Sequence, residues 1–189
     1  MNLGEAKRRV LMLLDEYSSG GEIIEDRDIS NKMAEFFDMA QKEIAGHKRI
    51  IRKVEITLSQ KTEDFAYYDL PSDFWEPFRI WKGTRLQESY PIIAGKLAVP
   101  GDKNGTIVLE YFAYPSTITS ATPDSYEFEV CEDAANCLPF FVAAQQLISD
   151  LVVAFEAFWN IYLQRRAALG VSPPSSGGKT FISQKLYRR

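Results

Sequence analysis

The residues best able to do chemistry in this chain are its single histidine and its two cysteines. A catalytic triad would need His47 as its general base, yet no serine stands in a G-x-S-x-G pattern. Cys131 and Cys137 have no recognisable nucleophile setting, and their spacing of six puts them on different faces of a helix. The sequence therefore predicts no catalytic residue. His47 is expected to be exposed at a helix end, and the cysteines are expected to be buried free thiols.

Three further motifs suggest ligand binding at first sight. GGKT at 177–180 resembles the end of a phosphate-binding loop, yet Pro173 stands where that loop needs its first glycine. EDRDISN at 25–31 lacks the glycine and terminal glutamate of a calcium loop, so its acids are expected to cap a helix. The third motif is an acidic group at the start of a later helix, where the helix dipole favours carboxylates. Its members are Asp124, Glu127, Glu129, Glu132 and Asp133. No metal and no cofactor is predicted.

Composition and charge limit the class of protein. The chain has 189 residues, 46% of them hydrophobic, which is enough for one sizeable core. It has no signal-peptide core and no apolar run near the roughly 18 residues that span a bilayer, so we expect a soluble chain made in the cytosol. The last eleven residues carry a side-chain charge of +4, so with a total of −4 the first 178 carry −8. An acidic body argues against a broad basic face for nucleic acid, whereas a basic tail can dock on an acidic surface.

Hydrophobic periodicity places helices at both ends of the chain and strands in its middle. Helices are predicted at about 3–17, 26–46, 133–148 and 150–169, and strands at about 49–58, 64–70, 76–82, 90–99 and 106–114. This order predicts an α+β fold with an N-terminal helical hairpin, a central antiparallel β-meander and two C-terminal helices. Residues 1–170 are predicted to form a single domain, and 171–189 an extended basic, aromatic tail. The aromatic residues of the strand region are expected in the sheet core.

Two regions carry more apolar surface than the chain's own core explains. The last helix has large apolar residues on more than one face, which predicts burial against another subunit as well. Its candidate interface residues are Phe155, Phe158, Trp159 and Tyr162. The tail combines apolar anchors with cations, which is typical of a segment that docks on a partner. Its candidate residues for contact with a partner protein or a neighbouring subunit are Lys179, Phe181, Ile182, Lys185, Leu186, Tyr187, Arg188 and Arg189.

Four stretches carry a family resemblance. They are LPSDFWEPFRIW at 70–81, TIVLEYFAYP at 106–115, DAANCLPFFVAAQQLISD at 133–150 and RRAALG at 165–170. With the N-terminal helical hairpin before them, over roughly residues 3 to 169, they resemble the head-to-tail adaptor (connector) proteins of tailed bacteriophages. The pattern shared with that family is an LP.DF turn and a Y.A.P strand end.

The resemblance implies a structural virion protein and no enzyme. Adaptors of this kind form a ring, typically of twelve subunits, that docks beneath the portal and continues the DNA channel toward the tail, often through a C-terminal segment. The implied partners are further copies of the chain, the portal protein, a downstream neck or tail protein, and double-stranded DNA that passes without specific binding. No membrane or cofactor is implied. The implied location is the head–tail neck of the virion, after synthesis in the host cytoplasm.

Two alternative functions stay open at this point. One is a stopper or tail-completion ring protein of the same neck, which would bind below the adaptor. The other is a host enzyme or ligand-binding domain that uses a pocket in the sheet. The basic residues of the strand region could face either a channel or solvent. They are Lys82, Arg85, Lys96 and Lys103.

Overall fold

The computed structural model describes residues 1–15, 27–87, 90–148 and 152–170, with side chains for all of these except 15, 27–31 and 152–154. Its helices are α1 (Leu3–Asp15), α2 (Arg27–His47), α3 (Glu132–Ala135), α4 (Leu138–Leu147) and α5 (Val152–Ala168). Its strands are β1 (Ile50–Leu58), β2 (Phe65–Asp69), β3 (Phe74–Lys82), β4 (Arg85–Leu86), β5 (Ile92–Ile93), β6 (Lys96–Pro100) and β7 (Gly105–Ala113). Helices at both ends of the chain and antiparallel strands between them confirm the predicted α+β fold.

Two predicted elements are each divided in the structure. The helix expected at 133–148 breaks into α3 and α4, because Pro139 lies in the first turn of α4 and donates no amide hydrogen to a preceding turn. The strand expected at 90–99 is the hairpin of β5 and β6. Its two loop residues, Ala94 and Gly95, both have positive φ, at 50° and 75°. That conformation matches the twist of a two-residue hairpin.

The described residues form two compact units, and the first consists of residues 1–50 and 115–170. Helix α4 is its centre, since α1, α2 and α5 all pack against α4. This helical unit has a continuous apolar core that α4 buries on several sides. Fully buried members of the core are Leu3, Val10, Phe37, Ile44 and Leu138. The spacing of these residues on α1 and α2 is the stripe of two amphipathic helices.

The segment between β7 and α3 is held to α2 by two polar side chains. Asp38 Oδ1 accepts a hydrogen bond of 2.9 Å from the amide of Ile118. Gln41, which is fully buried, donates from Nε2 to the carbonyl of Ser116 at 3.2 Å and accepts at Oε1 from the amide of Glu129 at 3.0 Å. These bonds satisfy backbone groups of a segment without regular secondary structure of its own.

The second unit, residues 51–114, contains two antiparallel arrangements of strands. One sheet has four strands in the order β1-β7-β3-β4, and the other has three in the order β2-β6-β5. Consecutive strands pair only as β3–β4 and β5–β6 among the described elements. Burial alternates along β1 and β2, as one buried sheet face requires, whereas β6 and β7 bury consecutive residues. The buried residues of the sheet unit include Phe78, Ile80, Leu97, Val99, Ile107, Leu109 and Phe112.

The LPSDF stretch forms the turn that was predicted for it and connects three strands. The amide of Phe74 donates to the carbonyl of Pro71 at 3.0 Å, which closes the turn before β3. The side chain of Asp73 pairs with Arg52 on β1 and accepts a hydrogen bond from the hydroxyl of Tyr111 on β7. Burial, followed by this hydrogen bond, raises the pKa of Tyr111 above its usual value. The two motifs that carried the resemblance therefore meet at Asp73.

Candidate interaction surface

The four aromatic residues predicted on the last helix divide into two pairs. Phe158 and Tyr162 are 3% and 0% exposed and lie in the core of the helical unit. Phe155 and Trp159 are half-buried, and their rings stack with centroids 5.9 Å apart at 14°. Phe141 of α4 contacts both pairs, with its ring 5.8 Å from Trp159 and 5.2 Å from Tyr162. The accessible pair is therefore Phe155 and Trp159, and their contact with another subunit stays a prediction.

Helix α5 also exposes apolar residues on either side of its buried face. Ile161 is 37% exposed and Leu163 is 36% exposed, while Ala157 between the aromatic residues is exposed as well. The side opposite the buried Phe158 and Tyr162 carries the exposed polar residues Asn160 and Gln164. Helix α5 thus has a buried apolar face flanked by accessible apolar residues.

A cleft between α1, α4 and α5 was not predicted from the sequence. It encloses about 290 Å³ and is lined by Arg9, Met12, Leu13, Asn136, Pro139, Phe140 and Arg165. Arg9 Nη1 donates to Asn136 Oδ1 at 2.7 Å, and the guanidinium of Arg165 lies 4.4 Å from the centre of the Phe140 ring. Neither arginine forms an ion pair with another described residue. The cleft therefore combines an apolar floor with two cations whose charge is not compensated there.

The sequence signal that could have identified this cleft is weak. Met12 departs from the apolar stripe of α1 and is 70% exposed, which is unusual for a large apolar side chain in a helix. Arg165 belongs to the RRAALG stretch that carried the resemblance. The lining residues come from three separated segments, so their spacing in the sequence does not bring them together.

A second, larger cleft adjoins the first and shares Asn136 and Arg165 with it. It encloses about 460 Å³, and its other lining residues are Lys48, Cys131, Asp133, Cys137, Ala168 and Leu169. The ammonium of Lys48 donates to the carbonyl of Leu169 at 3.4 Å. Lys48 and Arg165 outnumber Asp133 here, so this second cleft also favours an anionic group.

The chemically reactive residues do not form a catalytic arrangement in the described part of the chain. Cys137 is buried, and burial raises the pKa of its thiol, which favours the unreactive protonated form. Cys131 is exposed, so the prediction of burial was wrong for this residue, because it precedes the first turn of α3 at the surface. His47 is the last residue of α2 as expected, but it is half-buried and not exposed.

The acidic group has structural partners. Asp124 pairs with Lys7 at 2.7 Å, and Glu129 accepts from the amide of Ser116 at 3.2 Å. Glu132 and Asp133 lie in the first turn of α3, where the helix dipole favours them. Within the described ranges, no group of three or more histidine, cysteine, aspartate or glutamate side chains is arranged to hold a metal ion.

Several predicted sites lie outside the described residues. These are the GGKT stretch at 177–180, Asp26, which together with Asp28 was a candidate to cap α2, and the whole candidate docking segment of the tail from Lys179 to Arg189.

The basic residues of the strand region are exposed, and three of the four have local partners. Lys82 donates to the carbonyl of Asn104 at 2.9 Å. Lys96 pairs with Asp69 at 2.8 Å, and Lys103 pairs with Asp102 at 3.2 Å. Local carboxylates reduce the attraction of this surface for phosphate.

The aromatic residues of the strand region are only partly in the core. Phe78, Tyr111 and Phe112 are buried as predicted, but Tyr67 and Tyr114 are 52% and 49% exposed. Tyr114 stacks on the half-buried Trp75 with centroids 5.0 Å apart, so each ring covers one face of the other from solvent. The prediction of a uniform aromatic core was therefore wrong for the strand ends.

Comparison with known proteins adds the family to these observations. None of the helices among the described residues has the length and apolar character that crossing a membrane requires. Comparison with curated proteins gives no match. The family model described as SU10 adaptor protein matches residues 1–169, which include every described helix and strand. This match confirms the resemblance to phage head-to-tail adaptors, and the chain belongs to the SU10 adaptor protein family.

Proposed function

We propose that this adaptor forms a ring at the head–tail neck of a bacteriophage virion, docks beneath the portal and continues the DNA channel toward the tail. The observation that carries the proposal is the family match over residues 1–169, because it covers both the helical unit and the sheet unit. The finer parts of the proposal rest on surfaces of the described residues.

The accessible apolar residues of α5 support assembly into a ring. A closed ring of identical subunits needs two unlike surfaces that complement each other, so each subunit must bury apolar area on two sides. Phe155, Trp159, Ile161 and Leu163 provide such area beyond the core of the subunit. A ring of twelve copies follows from the family resemblance.

The charge distribution supports passage of DNA without specific binding. Every phosphate that a protein cation neutralises releases counterions and strengthens binding, so a channel needs few free cations. The first 178 residues carry a net charge of −8, and the strand-region lysines are occupied by local carboxylates or carbonyls.

The clefts of the helical unit support docking of the tail on a partner. Both clefts present cations, from Arg9, Lys48 and Arg165, and would repel a tail with a side-chain charge of +4. The tail of 19 residues reaches at most about 60 Å when fully extended, which is enough to contact another subunit. We therefore assign its apolar residues Phe181, Ile182, Leu186 and Tyr187 to a groove on the portal, with Lys179, Lys185, Arg188 and Arg189 pairing to acids there.

The role proposed for this chain is structural and not catalytic. The family is one of adaptors, and the proposal involves no cofactor. A downstream neck or tail protein would bind the opposite end of the ring.

The proposal is tested by native mass spectrometry of the purified chain with portal rings. Three forms are compared: the full chain, a chain without residues 175–189, and a chain in which Phe181, Ile182, Leu186 and Tyr187 are serine while the four cations remain. Of the three forms, we expect only the full chain to form a stoichiometric complex with the portal ring. Undiminished binding of the shortened chain would overturn docking through the tail. If the full chain does not bind the portal but binds a lower neck ring, the chain is a stopper instead.

A further inference from the structure

The cleft between α1, α4 and α5 has the composition of a receptor for an apolar side chain with a carboxylate beside it. Met12, Leu13, Pro139 and Phe140 supply the apolar contacts, and the volume of about 290 Å³ suits one or two side chains. Arg9 and Arg165 stand at the same cleft without a carboxylate partner among the described residues. An arginine held by an amide and another held by an aromatic ring are pre-oriented for a bidentate carboxylate contact.

A complementary surface exists on α2 of the same chain. The large apolar side chains exposed on the helical unit are Met12, Met39, Ile148, Ile161 and Leu163. Met12 belongs to the cleft itself. Of the remaining four, only Met39 has an exposed carboxylate one helical turn away among the described residues, namely Glu35. Met39 is 51% exposed, and Glu35 forms no ion pair with another described residue.

Glu35 and Met39 are not among the residues that line the cleft of their own subunit. Met33, Phe37, Ala40 and Ile44 of α2 are buried in the core, so Glu35 and Met39 point away from it. The cleft lies on other helices, α1 and α5, beside the first turn of α4. Two complementary patches on unlike faces of one chain give a head-to-tail contact, which closes into a ring when the rotation permits.

We propose that Glu35 and Met39 of one copy occupy the cleft lined by Arg9, Met12, Phe140 and Arg165 in the next copy. Met39 fills the apolar floor, and Glu35 pairs with the two guanidinium groups. Two lysines lie near this patch on α2. Lys42 already pairs with Asp38 at 2.6 Å, whereas the positive charge of Lys32 is repelled by the arginines of the cleft. The proposal rests on the ring of the proposed function and names the contact that holds it.

The experiment is a charge exchange, with the association constant between copies measured by light scattering and native mass spectrometry. Arg9→Glu and Glu35→Arg are each expected to weaken association at least about tenfold, and the double variant is expected to recover to within about threefold of the original chain. Lys32→Glu is expected to strengthen association with the stoichiometry of the original chain, an effect that loss of the fold does not produce. The matched controls are Arg8→Glu, a neighbouring exposed cation outside the cleft, and Glu63→Arg, an exposed acid of the sheet unit.

The outcomes separate this contact from the neck function. Any of three results would overturn the contact. The single variants could associate as strongly as the original chain, the double variant could fail to recover, or Lys32→Glu could weaken association. A chain that stays monomeric while it binds portal rings would also overturn it and would leave portal docking standing. If ring formation is lost in the single variants and recovered in the double variant, but the ring does not bind the portal, the contact is supported and portal docking is overturned.

Discussion

The hydroxyl of Tyr111 donates a hydrogen bond of 3.1 Å to Oδ1 of Asp73, whose other carboxylate oxygen pairs with Arg52. Asp73 lies in the LP.DF turn and Tyr111 begins the Y.A.P strand end, so the bond connects the two most recognisable stretches of the sequence. The amide of Tyr114 adds a hydrogen bond to the carbonyl of Asp73 at 2.8 Å. The motifs are thus explained as a structural junction of β1, β3 and β7.

Replacing Tyr111 by phenylalanine tests this junction. The change removes the hydroxyl and leaves the ring in place, so we expect the free energy of unfolding to fall by about 1 kcal/mol. Urea unfolding measures it, and Tyr67→Phe is the matched control because Tyr67 is 52% exposed. The raised pKa of Tyr111 means that its contribution is complete below the usual value of 10.0 and is lost as pH rises through the folded-state value. Equal effects of the two substitutions would contradict the junction.

Glu110 gives the sheet unit a dependence on acidic pH. Burial raises the pKa of its carboxyl, but hydrogen bonds from Lys53 and Trp81 and the charges of Lys53 and Arg79 outweigh burial, so the pKa lies below its usual value of 4.5. A carboxyl with a lowered pKa stabilises the fold above its unfolded-state pKa, and this contribution is lost as pH falls through the folded-state pKa. We expect the free energy of unfolding of the original chain to decline as pH falls below 4.5. In the Glu110→Gln variant we expect it to decline less steeply. Unfolding free energies measured across that range, with Glu55→Gln as an exposed control, check the difference.

Gly101 is a position where no side chain fits. A Cβ atom there would lie 1.9 Å from the carbonyl oxygen of Glu63, and the backbone at that point is fixed by a 3.0 Å bond from the Gly101 amide to the carbonyl of Asp64. We expect Gly101→Ala to destabilise the sheet unit by about 2 kcal/mol or more. Gly46→Ala on α2, where nothing lies within 4 Å, should instead stabilise by about 0.5–1 kcal/mol. Thermal unfolding of both variants gives the comparison, and a neutral Gly101→Ala would refute the close approach.

Gln41 is expected to be the most sensitive polar residue of the helical unit. Its replacement by leucine leaves the amide of Glu129 and the carbonyl of Ser116 without their partner, so the free energy of unfolding should fall by about 2–3 kcal/mol. Hydrogen exchange should also accelerate at the amides of Ile118 and Glu129. Gln60→Leu, at an exposed position, is the control. Unchanged exchange at both amides would show that the segment is held by other contacts.

The accessible apolar residues of α5 predict an effect on assembly without a large effect on folding. Leu163→Glu places a charge at a side chain that is 36% exposed, so we expect the oligomer to dissociate while thermal stability changes little. Leu86→Glu, at 56% exposure on β4, is the control for the added charge. Native mass spectrometry measures the assembly. If the Leu163→Glu chain retained its original mass, α5 would not lie at a subunit contact.

The sequence predicted the α+β order because helix and strand periods differ clearly, and α2 illustrates this with Phe37 and Ile44 at zero exposure. It did not predict two sheets, since the neighbour of β1 is β7, more than 40 residues away, and periodicity contains no information on partners. It identified α5 as unusually apolar but could not say which of its aromatics faced inward, because a helix that is apolar all round has no preferred side. The cleft was missed for a related reason. Arg9, Phe140 and Arg165 become neighbours only when three helices pack.

The helical unit is discontinuous in the chain, since residues 1–50 and 115–170 enclose the whole sheet unit between them. During synthesis the sheet unit has all of its described strands once Ala113 has left the ribosome, whereas α1 and α2 must wait for α4 and α5 to bury their apolar faces. The two N-terminal helices therefore spend that interval with their apolar stripes exposed. The cleft proposed to receive the next copy needs α1, α4 and α5, so it forms only after α5 has been synthesised, whereas Glu35 and Met39 of α2 emerge early. The order of the elements thus delays formation of the cleft until the helical unit has all of its described helices.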